Sequence, residues 1–178
     1  MINNIMFVGG IHGVGKSTVC NKICEELGFK YLSASEVLKW KDINEDEKNK
    51  KVQDIPYTQD RLIRGLAMIV EPEYKYVLDG HLCLFNAQGD ATRVPIQTFE
   101  QINPVAIIVI TGNEELIKSR LERRDRKQYD LTSLQRMQEL EEEYGKEVAN
   151  VLGIEYLEAS NINTDSVVNK LKTISSPL

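Results

Sequence analysis

The amino-acid sequence predicts an α/β fold in which a parallel sheet of five strands is covered by helices on both faces. Five short runs of apolar residues alternate along the chain with segments of helical periodicity. Parallel strands need crossover connections, and these are usually helices. A chain of 178 residues with 42% hydrophobic content can bury one full core, so we expect residues 1–178 to form a single domain.

A phosphate-binding motif follows the first predicted strand, residues 5–8. The segment Gly-Gly-Ile-His-Gly-Val-Gly-Lys-Ser-Thr fits the pattern GxxxxGKS/T from Gly10 to Ser17. Its glycines permit the unusual dihedrals with which successive backbone N–H groups surround a phosphate chain, and the helix that follows presents its N-terminus to the anion. A glycine-rich turn that binds nothing is the alternative. The predicted nucleotide-binding residues are Gly10, Gly13, Val14, Gly15, Lys16, Ser17 and Thr18.

The next segment contains a strand, a short helix and a longer helix. Residues 29–33 have the pattern of a strand, and Ser33 is a suitable N-cap for the helix that follows. The stretch 39–51 is dense in charge, which predicts a solvated helix or loop. Helical spacing of apolar residues resumes over 57–70.

The third predicted strand, residues 74–78, ends at Asp79. An acid at the carboxyl end of a buried strand beside a phosphate loop has the form of a Walker B site. We expect Asp79 and the hydroxyl of Ser17 to hold Mg²⁺, while Lys16 lies along the β- and γ-phosphates of ATP. An Asp-Gly turn without a ligand is the alternative.

The chain then returns to the sheet. Residues 82–94 alternate apolar and polar side chains about the turn 86–90, which predicts a small hairpin. Pro95 begins a short helix, and the β-branched run 105–110 is typical of a central strand covered on both faces.

The last part of the sequence adds two helices, a strand and a terminal helix. Asn113 caps the first helix. A long helix is predicted over 131–151, a strand over 154–157 and a final helix over 165–174. Four glutamates are expected on the outside of the long helix: Glu139, Glu141, Glu142 and Glu143.

A basic cluster lies between the helix after Asn113 and the long helix. The eight residues 120–127 contain five cations, although the chain is acidic overall. Phosphoryl transfer needs cations that cover the charge of the migrating group, and one arginine can contribute about 10³ to 10⁵ in rate. A solvated face that pairs with the glutamates of the long helix is the alternative. The candidate catalytic residues are Lys16, Arg120, Arg123, Arg124 and Arg126.

Composition excludes several classes of function. The net charge of −5 argues against a protein that grips nucleic acid over a broad face. Three cysteines without metal-ligand spacing suggest neither a disulfide framework nor a zinc site. No apolar run is long enough to cross a membrane, and there is no signal segment, so we expect a cytoplasmic protein.

The order of these parts resembles that of small nucleoside monophosphate kinases, most closely the archaeal-type adenylate kinases. The similar segments are Gly10 to Thr18, Tyr31 to Lys39, Leu78 to His81 and Arg120 to Arg126. The resemblance implies a three-layer P-loop NTPase fold, a monophosphate-binding region over 33–70 and a short lid over 120–130. It also implies acceptor contacts at Ser35, Lys39 and His81, and a loop near the donor adenine at Ser160 and Asn161. Arg61 is the further candidate for the acceptor site, with Arg64 and Arg93 as its alternatives.

The sequence departs from that family at three positions. His12 stands where the family usually has proline, and Lys39 and Gln53 stand where arginines are common. A bidentate phosphate clamp needs arginine, so these departures weaken the expectation for the monophosphate site.

The predicted function is transfer of the γ-phosphoryl group of ATP to a small acceptor, with a nucleoside monophosphate as the expected acceptor. The first alternative is a P-loop ATPase or nucleotide switch that acts with a protein or RNA partner. The others are a kinase of a non-nucleotide metabolite and a nucleotide-binding module without turnover.

Overall fold

A parallel five-stranded sheet forms the centre of the molecule. The computed structural model describes residues 4–39, 55–85, 91–160 and 163–175. Its strands are β1 (Ile5–Gly9), β2 (Lys30–Ser33), β3 (Tyr76–Asp79), β4 (Cys83–Phe85), β5 (Ala91–Arg93), β6 (Ala106–Ile110) and β7 (Glu155–Ala159). Its helices are α1 (Lys16–Leu27), α2 (Ala34–Val37), α3 (Ile55–Ile69), α4 (Ile96–Ile102), α5 (Glu114–Asp125), α6 (Leu131–Leu152) and α7 (Thr164–Ser175).

The strand order of the sheet is β2-β3-β1-β6-β7, and every neighbouring pair is parallel. Five consecutive residues of β6 are completely buried. Because successive side chains of a strand point to opposite faces, both faces of the sheet are covered. The predicted α/β class, the five strands and their parallel arrangement are confirmed.

The register of the sheet brings two predicted site segments together. Val8, near the end of β1, lies opposite Asp79, the last residue of β3. The loop after β1 and the acid after β3 therefore leave the same edge of the sheet on adjacent strands. This is the edge where ligands of open α/β sheets bind.

The segment after β3 forms a separate antiparallel hairpin of two strands, β4 and β5. Cys83 pairs with Arg93 in this hairpin, which confirms that residues 82–94 add a small ribbon and no further strand to the main sheet. The predicted turn at 86–90 and the charged stretch from residue 40 to 51 lie outside the described residues.

The predicted position of Glu141 is wrong. This side chain was expected on the outside of the long helix, but it has 0% exposure and lies on the face of α6 that packs against the sheet. Glu139 and Glu143 are exposed as expected, and Glu142 is half-buried.

None of the helices in the described ranges is long and apolar enough to span a membrane.

Candidate active site

The loop between β1 and α1 has the backbone that the motif predicts. Gly10 has φ +136°, and a Cβ there would lie 2.7 Å from the carbonyl oxygen of Ile110. Gly13 has φ +78°, and a Cβ there would lie 2.9 Å from Cγ of Leu121. Both positions therefore require glycine for conformation and for space. Gly15 precedes α1 without a side-chain cap, so the first N–H groups of that helix are available to an anion.

Lys16 is folded back on this loop. Its Nζ donates hydrogen bonds to the carbonyl oxygens of Gly10 at 2.8 Å and Ile11 at 3.4 Å. It also lies 3.9 Å from Oδ1 of Asp79. Burial lowers the pKa of Lys16, and the charges of Asp79 and Glu141 oppose that effect.

The oxygens of Ser17 and Asp79 are linked through Tyr31. The phenol of Tyr31 donates to Oδ2 of Asp79 at 2.9 Å, and it also hydrogen-bonds with the Ser17 side chain. Burial and the nearby Asp79 carboxylate raise the pKa of Tyr31, so the phenol is a proton donor at neutral pH. Carboxylate and hydroxyl oxygens are hard ligands of the kind that Mg²⁺ prefers. The two predicted metal ligands therefore have a suitable donor set.

Mg²⁺ in such sites is held by few protein groups together with substrate phosphates. Within the described ranges, the side chains of histidine, cysteine, aspartate and glutamate form no cluster of three or more that could hold a metal ion. A fully protein-made metal cage is therefore not part of the described site.

Two histidines face each other across the edge of the cleft. The rings of His12 and His81 have centroids 4.3 Å apart and are inclined by 49°. Burial lowers the pKa of His12 to about 4, the charges of His81, Lys16 and Arg124 contribute to this shift, and Glu141 opposes it. His12 is therefore neutral near pH 7 and supplies no positive charge to the phosphate loop.

Glu141 is a site residue that the sequence analysis missed. Its carboxylate accepts hydrogen bonds from the backbone N–H groups of Gly10 at 2.9 Å and Cys83 at 3.0 Å. The N–H of Leu82 donates to the same carboxylate at 3.1 Å. Nδ1 of His81 lies 3.8 Å from Oε1. One buried carboxylate thus joins the phosphate loop to the turn after Asp79.

A signal for this burial was present in the sequence. Glu141 follows Met137 by one helical turn and precedes Tyr144 and Val148 at intervals of three and seven. Those three residues are buried on the core side of α6. The helical period therefore places Glu141 on the apolar face, where a charged side chain is rarely found without a specific partner.

The structure separates the four arginines of the basic cluster. Arg120 and Arg124 line the cleft, and Nη1 of Arg120 donates to the carbonyl oxygen of Gly13 at 3.4 Å. The guanidinium of Arg124 is held by Asp125 through two hydrogen bonds of 2.6 and 2.9 Å.

Arg123 and Arg126 are exposed and are not among the residues that line the cleft. Arg126 has φ +53° and ends α5 as its C-cap. In the described part of the chain, none of the cluster's arginines forms an ion pair with the glutamates of α6.

The cleft extends from the phosphate loop to helices α3 and α4 and has a volume of about 920 Å³. Its far wall is apolar and includes Phe7, Leu62 and Phe99. Gln59 and Thr98 also line it, and they are only 8% and 5% exposed. The cleft is therefore one continuous space that is larger than a phosphate site alone. We call its part at the phosphate loop the first compartment and its part lined by α3 and α4 the second compartment.

The predicted acceptor residues are only partly brought together. Ser35 and His81 line the cleft. Lys39 lies in the turn after α2 and is not a lining residue. Arg61 is also absent from the lining, and its Nη2 donates to the carbonyl oxygen of Leu38 at 2.7 Å. Gln53 lies outside the described residues.

The predicted adenine loop follows β7. The backbone N–H of Ser160 donates to Oδ1 of Asn163 at 2.7 Å, which closes the turn before α7. Ser160 does not line the cleft, and Asn161 lies outside the described residues. The loop is on the same edge of the sheet as the phosphate loop, because β7 is parallel to β1 within the same sheet.

Comparison with known proteins places this chain in a family. The sequence profile of the AAA domain matches residues 9–138, which is more than half of the chain. A protein of Methanocaldococcus jannaschii named "Putative adenylate kinase" is 29% identical over 117 residues, which cover 66% of this chain and 56% of that protein. The chain thus spans about half the length of that relative. An "Adenylate kinase" of the same organism is 28% identical over 135 residues, which cover 68% of this chain and 69% of that protein.

Solved structures share the fold at low sequence identity. A shikimate kinase from Acinetobacter baumannii superposes with a TM-score of 0.58 at 16% identity, and the match covers 97% of this chain and 93% of that one. A gluconokinase from Sinorhizobium meliloti gives a TM-score of 0.55 at 15% identity, with coverage of 98% and 99%. These matches confirm the predicted three-layer P-loop NTPase fold.

Proposed function

We propose that this chain, which belongs to the AAA domain family, transfers the γ-phosphoryl group of ATP to a small acceptor, and that this acceptor is a nucleoside monophosphate. The similarity to adenylate kinases supports the choice of acceptor class.

The two-compartment cleft is the observation that carries this proposal. Lys16 and the phosphate loop lie in one part, and the apolar wall with Gln59 and Thr98 lies in the other. A nucleotide switch needs only the first compartment. A phosphotransferase needs both, because donor and acceptor must be held together for in-line attack.

The second compartment is suited to an organic acceptor. Gln59 and Thr98 have buried polar side chains that line the cleft. Buried polar groups are normally hydrogen-bonded, so a ligand in the cleft is a suitable partner for them. The neighbouring rings of Phe7 and Phe99 lie edge to face, 5.2 Å apart, and form the apolar backing of this wall.

Charge in the first compartment suits a phosphoryl group in transfer. Lys16, Arg120 and Arg124 line it together. Phosphate oxygens would replace the loop carbonyls as partners of the Lys16 ammonium group. Ser17 and Asp79 would hold Mg²⁺, which supplies neutralisation of phosphate charge when bound.

The decisive experiment is a coupled assay of ATP turnover with each nucleoside monophosphate in turn, against a control without acceptor. We expect one of them to stimulate turnover with formation of its diphosphate. Slow hydrolysis that is indifferent to every monophosphate would overturn the proposal and favour an ATPase or switch with a macromolecular partner.

A second candidate is a kinase of a non-nucleotide metabolite. Among the described residues, arginines line the cleft only at Arg120 and Arg124, and the wall formed by α3 and α4 contributes an amide and hydroxyl groups. Such groups also suit a hydroxylated acceptor without a phosphate. Phosphorylation of sugars or hydroxy acids in the same assay, without turnover of monophosphates, would favour this candidate.

A further inference from the structure

The carboxylate of Glu141 lies where three parts of the proposed site meet. Oε2 accepts a hydrogen bond from the first residue of the phosphate loop, Gly10, at 2.9 Å. Oε1 accepts one from Leu82 at 3.1 Å, in the turn that follows Asp79, and one from Cys83, the first residue of β4, at 3.0 Å. The side chain is 0% exposed. Burying a carboxylate is costly unless donors surround it, and here the donors come from two separate loops.

The third contact of the Glu141 carboxylate is with the side chain of His81. Nδ1 of His81 lies 3.8 Å from Oε1, and His81 lines the cleft. The ring of His81 also packs against the ring of His12 in the phosphate loop, at 4.3 Å between centroids. His81 is thus confined between the carboxylate on one side and the loop on the other.

Neighbouring glycines leave room for this arrangement. A Cβ on Gly9 would lie 3.0 Å from Oε2 of Glu141 and 2.8 Å from Leu82. A Cβ on Gly145, one turn along α6, would lie 2.7 Å from Val109. Both glycines allow α6 to approach β1 and β6 closely enough for the carboxylate to reach both loops.

We propose that Glu141 is a positioning residue of the phosphoryl-transfer site, which holds the phosphate loop and the His81 imidazole in one fixed arrangement. Nδ1 is the ring nitrogen of His81 that lies 3.8 Å from the carboxylate, and we expect this nitrogen to carry the ring proton. The inference rests on the proposed function for the reaction that this arrangement serves.

A negative charge beside one ring nitrogen favours the histidine tautomer that carries the proton on that nitrogen. A carboxylate that only accepted hydrogen bonds from backbone N–H groups would not require a histidine beside it. The negative charge of Glu141 also acts on Lys16. Burial lowers the pKa of this lysine, and the charge of Glu141 opposes that effect.

The most informative variant is Glu141→Gln. Both carboxylate oxygens receive N–H donors, so the NH₂ group of glutamine must face at least one of them. Glu143→Gln is a matched control two residues further along the same helix, where the side chain is exposed.

The test combines these variants with His81→Ala and the double variant Glu141→Gln/His81→Ala. We expect Glu141→Gln to fold and to lower kcat by about 10 to 100-fold, the usual cost of losing a partner that orients a site residue. Glu143→Gln should stay within twofold of the wild type. The losses of Glu141→Gln and His81→Ala should be strongly non-multiplicative, because one residue acts through the other. Losses that multiply, or a kcat of Glu141→Gln within twofold of the control, would overturn the proposal.

A measurement on the wild-type protein does not depend on the folding of any variant. Long-range ¹H–¹⁵N NMR at pH 8 reports which nitrogen of the His81 ring carries the proton. We expect the Nδ1–H tautomer, and a ring protonated at Nε2 would overturn the proposal. If no acceptor is phosphorylated at all, the proposed function fails, whereas this tautomer still decides the inference about Glu141.

Discussion

The ammonium group of Lys16 lies 3.9 Å from the carboxylate of Asp79. The two side chains come from different βα units, and they meet because β1 and β3 are adjacent with Val8 opposite Asp79. At 8% exposure, Lys16 has little contact with water. Its charge is therefore balanced by the acid and by the loop carbonyls, and incoming phosphate oxygens can take over that role.

Replacement of this ammonium group should separate catalysis from folding. We expect Lys16→Ala to lower kcat by at least about 100-fold, the scale for losing a donor that stabilises transition-state charge. The fold should persist, because Asp79 keeps its hydrogen bond from Tyr31. The measurement is phosphotransfer together with thermal unfolding. Lys22→Ala is the control, since Lys22 lies on the same helix, its side chain is 43% exposed and it does not line the cleft. Turnover near that of the wild type would contradict the role of Lys16 in phosphate binding.

The arginines of the basic cluster should contribute unequally to kcat. Arg124 lines the cleft and is held by Asp125, whereas Arg123 is its exposed neighbour outside the cleft. We expect Arg124→Ala to lower kcat by at least about 10²-fold, since an arginine that covers transferring charge contributes about 10³ to 10⁵. The affinity for ATP should change much less, and Arg123→Ala should have little effect on either quantity. Equal effects of the two substitutions on kcat would assign the cluster to surface electrostatics.

Tyr31→Phe should weaken the metal site. The substitution removes the hydrogen bond of 2.9 Å to Asp79 and the contact with Ser17, so the two predicted ligands lose their common partner. Partners that orient metal ligands typically contribute 10 to 100-fold in affinity or activity. We expect the Mg²⁺ concentration for half-maximal activity to rise by about 10-fold. Tyr74→Phe, at an exposed tyrosine, is the control, and identical Mg²⁺ curves for the two variants would show that Tyr31 does not serve the metal.

His12 should make stability depend on pH in a defined window. Its pKa falls from an ordinary value of 6.5 to about 4 on folding, first because of burial and then because of His81, Lys16 and Arg124. Between these values the unfolded chain binds a proton that the folded chain does not. Stability from this group is therefore complete above pH 6.5, declines as the pH falls towards 4, and changes no further below that.

Urea unfolding of the wild type and of His12→Asn at pH 7 and pH 5 tests this linkage. The free energy of unfolding should fall more between these two pH values in the wild type than in the variant. Since His81 and all other titrating groups are shared, the difference between the two slopes reports on His12. Parallel losses in both proteins would contradict the lowered pKa.

Most of the architecture could be predicted because local patterns specify it. The β-branched run that became β6 predicts a strand covered on both faces, and all five of its residues are fully buried. Asn113 and Asp130 accept the N-cap hydrogen bonds of α5 and α6, and short-range chemistry of this kind can be read without knowledge of the fold. Segments of this sort are also hard to misassign, because spacing and turn residues point to the same element.

The candidate site was only partly predictable. The phosphate-loop residues are adjacent in the sequence, and their spacing alone encodes the backbone that a phosphate requires. The arginines of the basic cluster, in contrast, are close in sequence, but their side chains point in different directions. Arg120 and Arg124 lie one helical turn apart and both face the cleft, whereas Arg123 points elsewhere.

The sequence by itself determined the phosphate loop, the alternation of strands and helices, and the acid at the end of the third strand, because each is encoded over a few neighbouring residues. Only the tertiary structure decided that His12 packs against His81 and that Glu141 is buried beneath the phosphate loop. The hydrogen bond from Gly10 to Glu141 joins residues 131 positions apart. A contact of that kind depends on how α6 packs across β1 and β6, and helical spacing can place Glu141 on a buried face without identifying the loops that its carboxylate meets there.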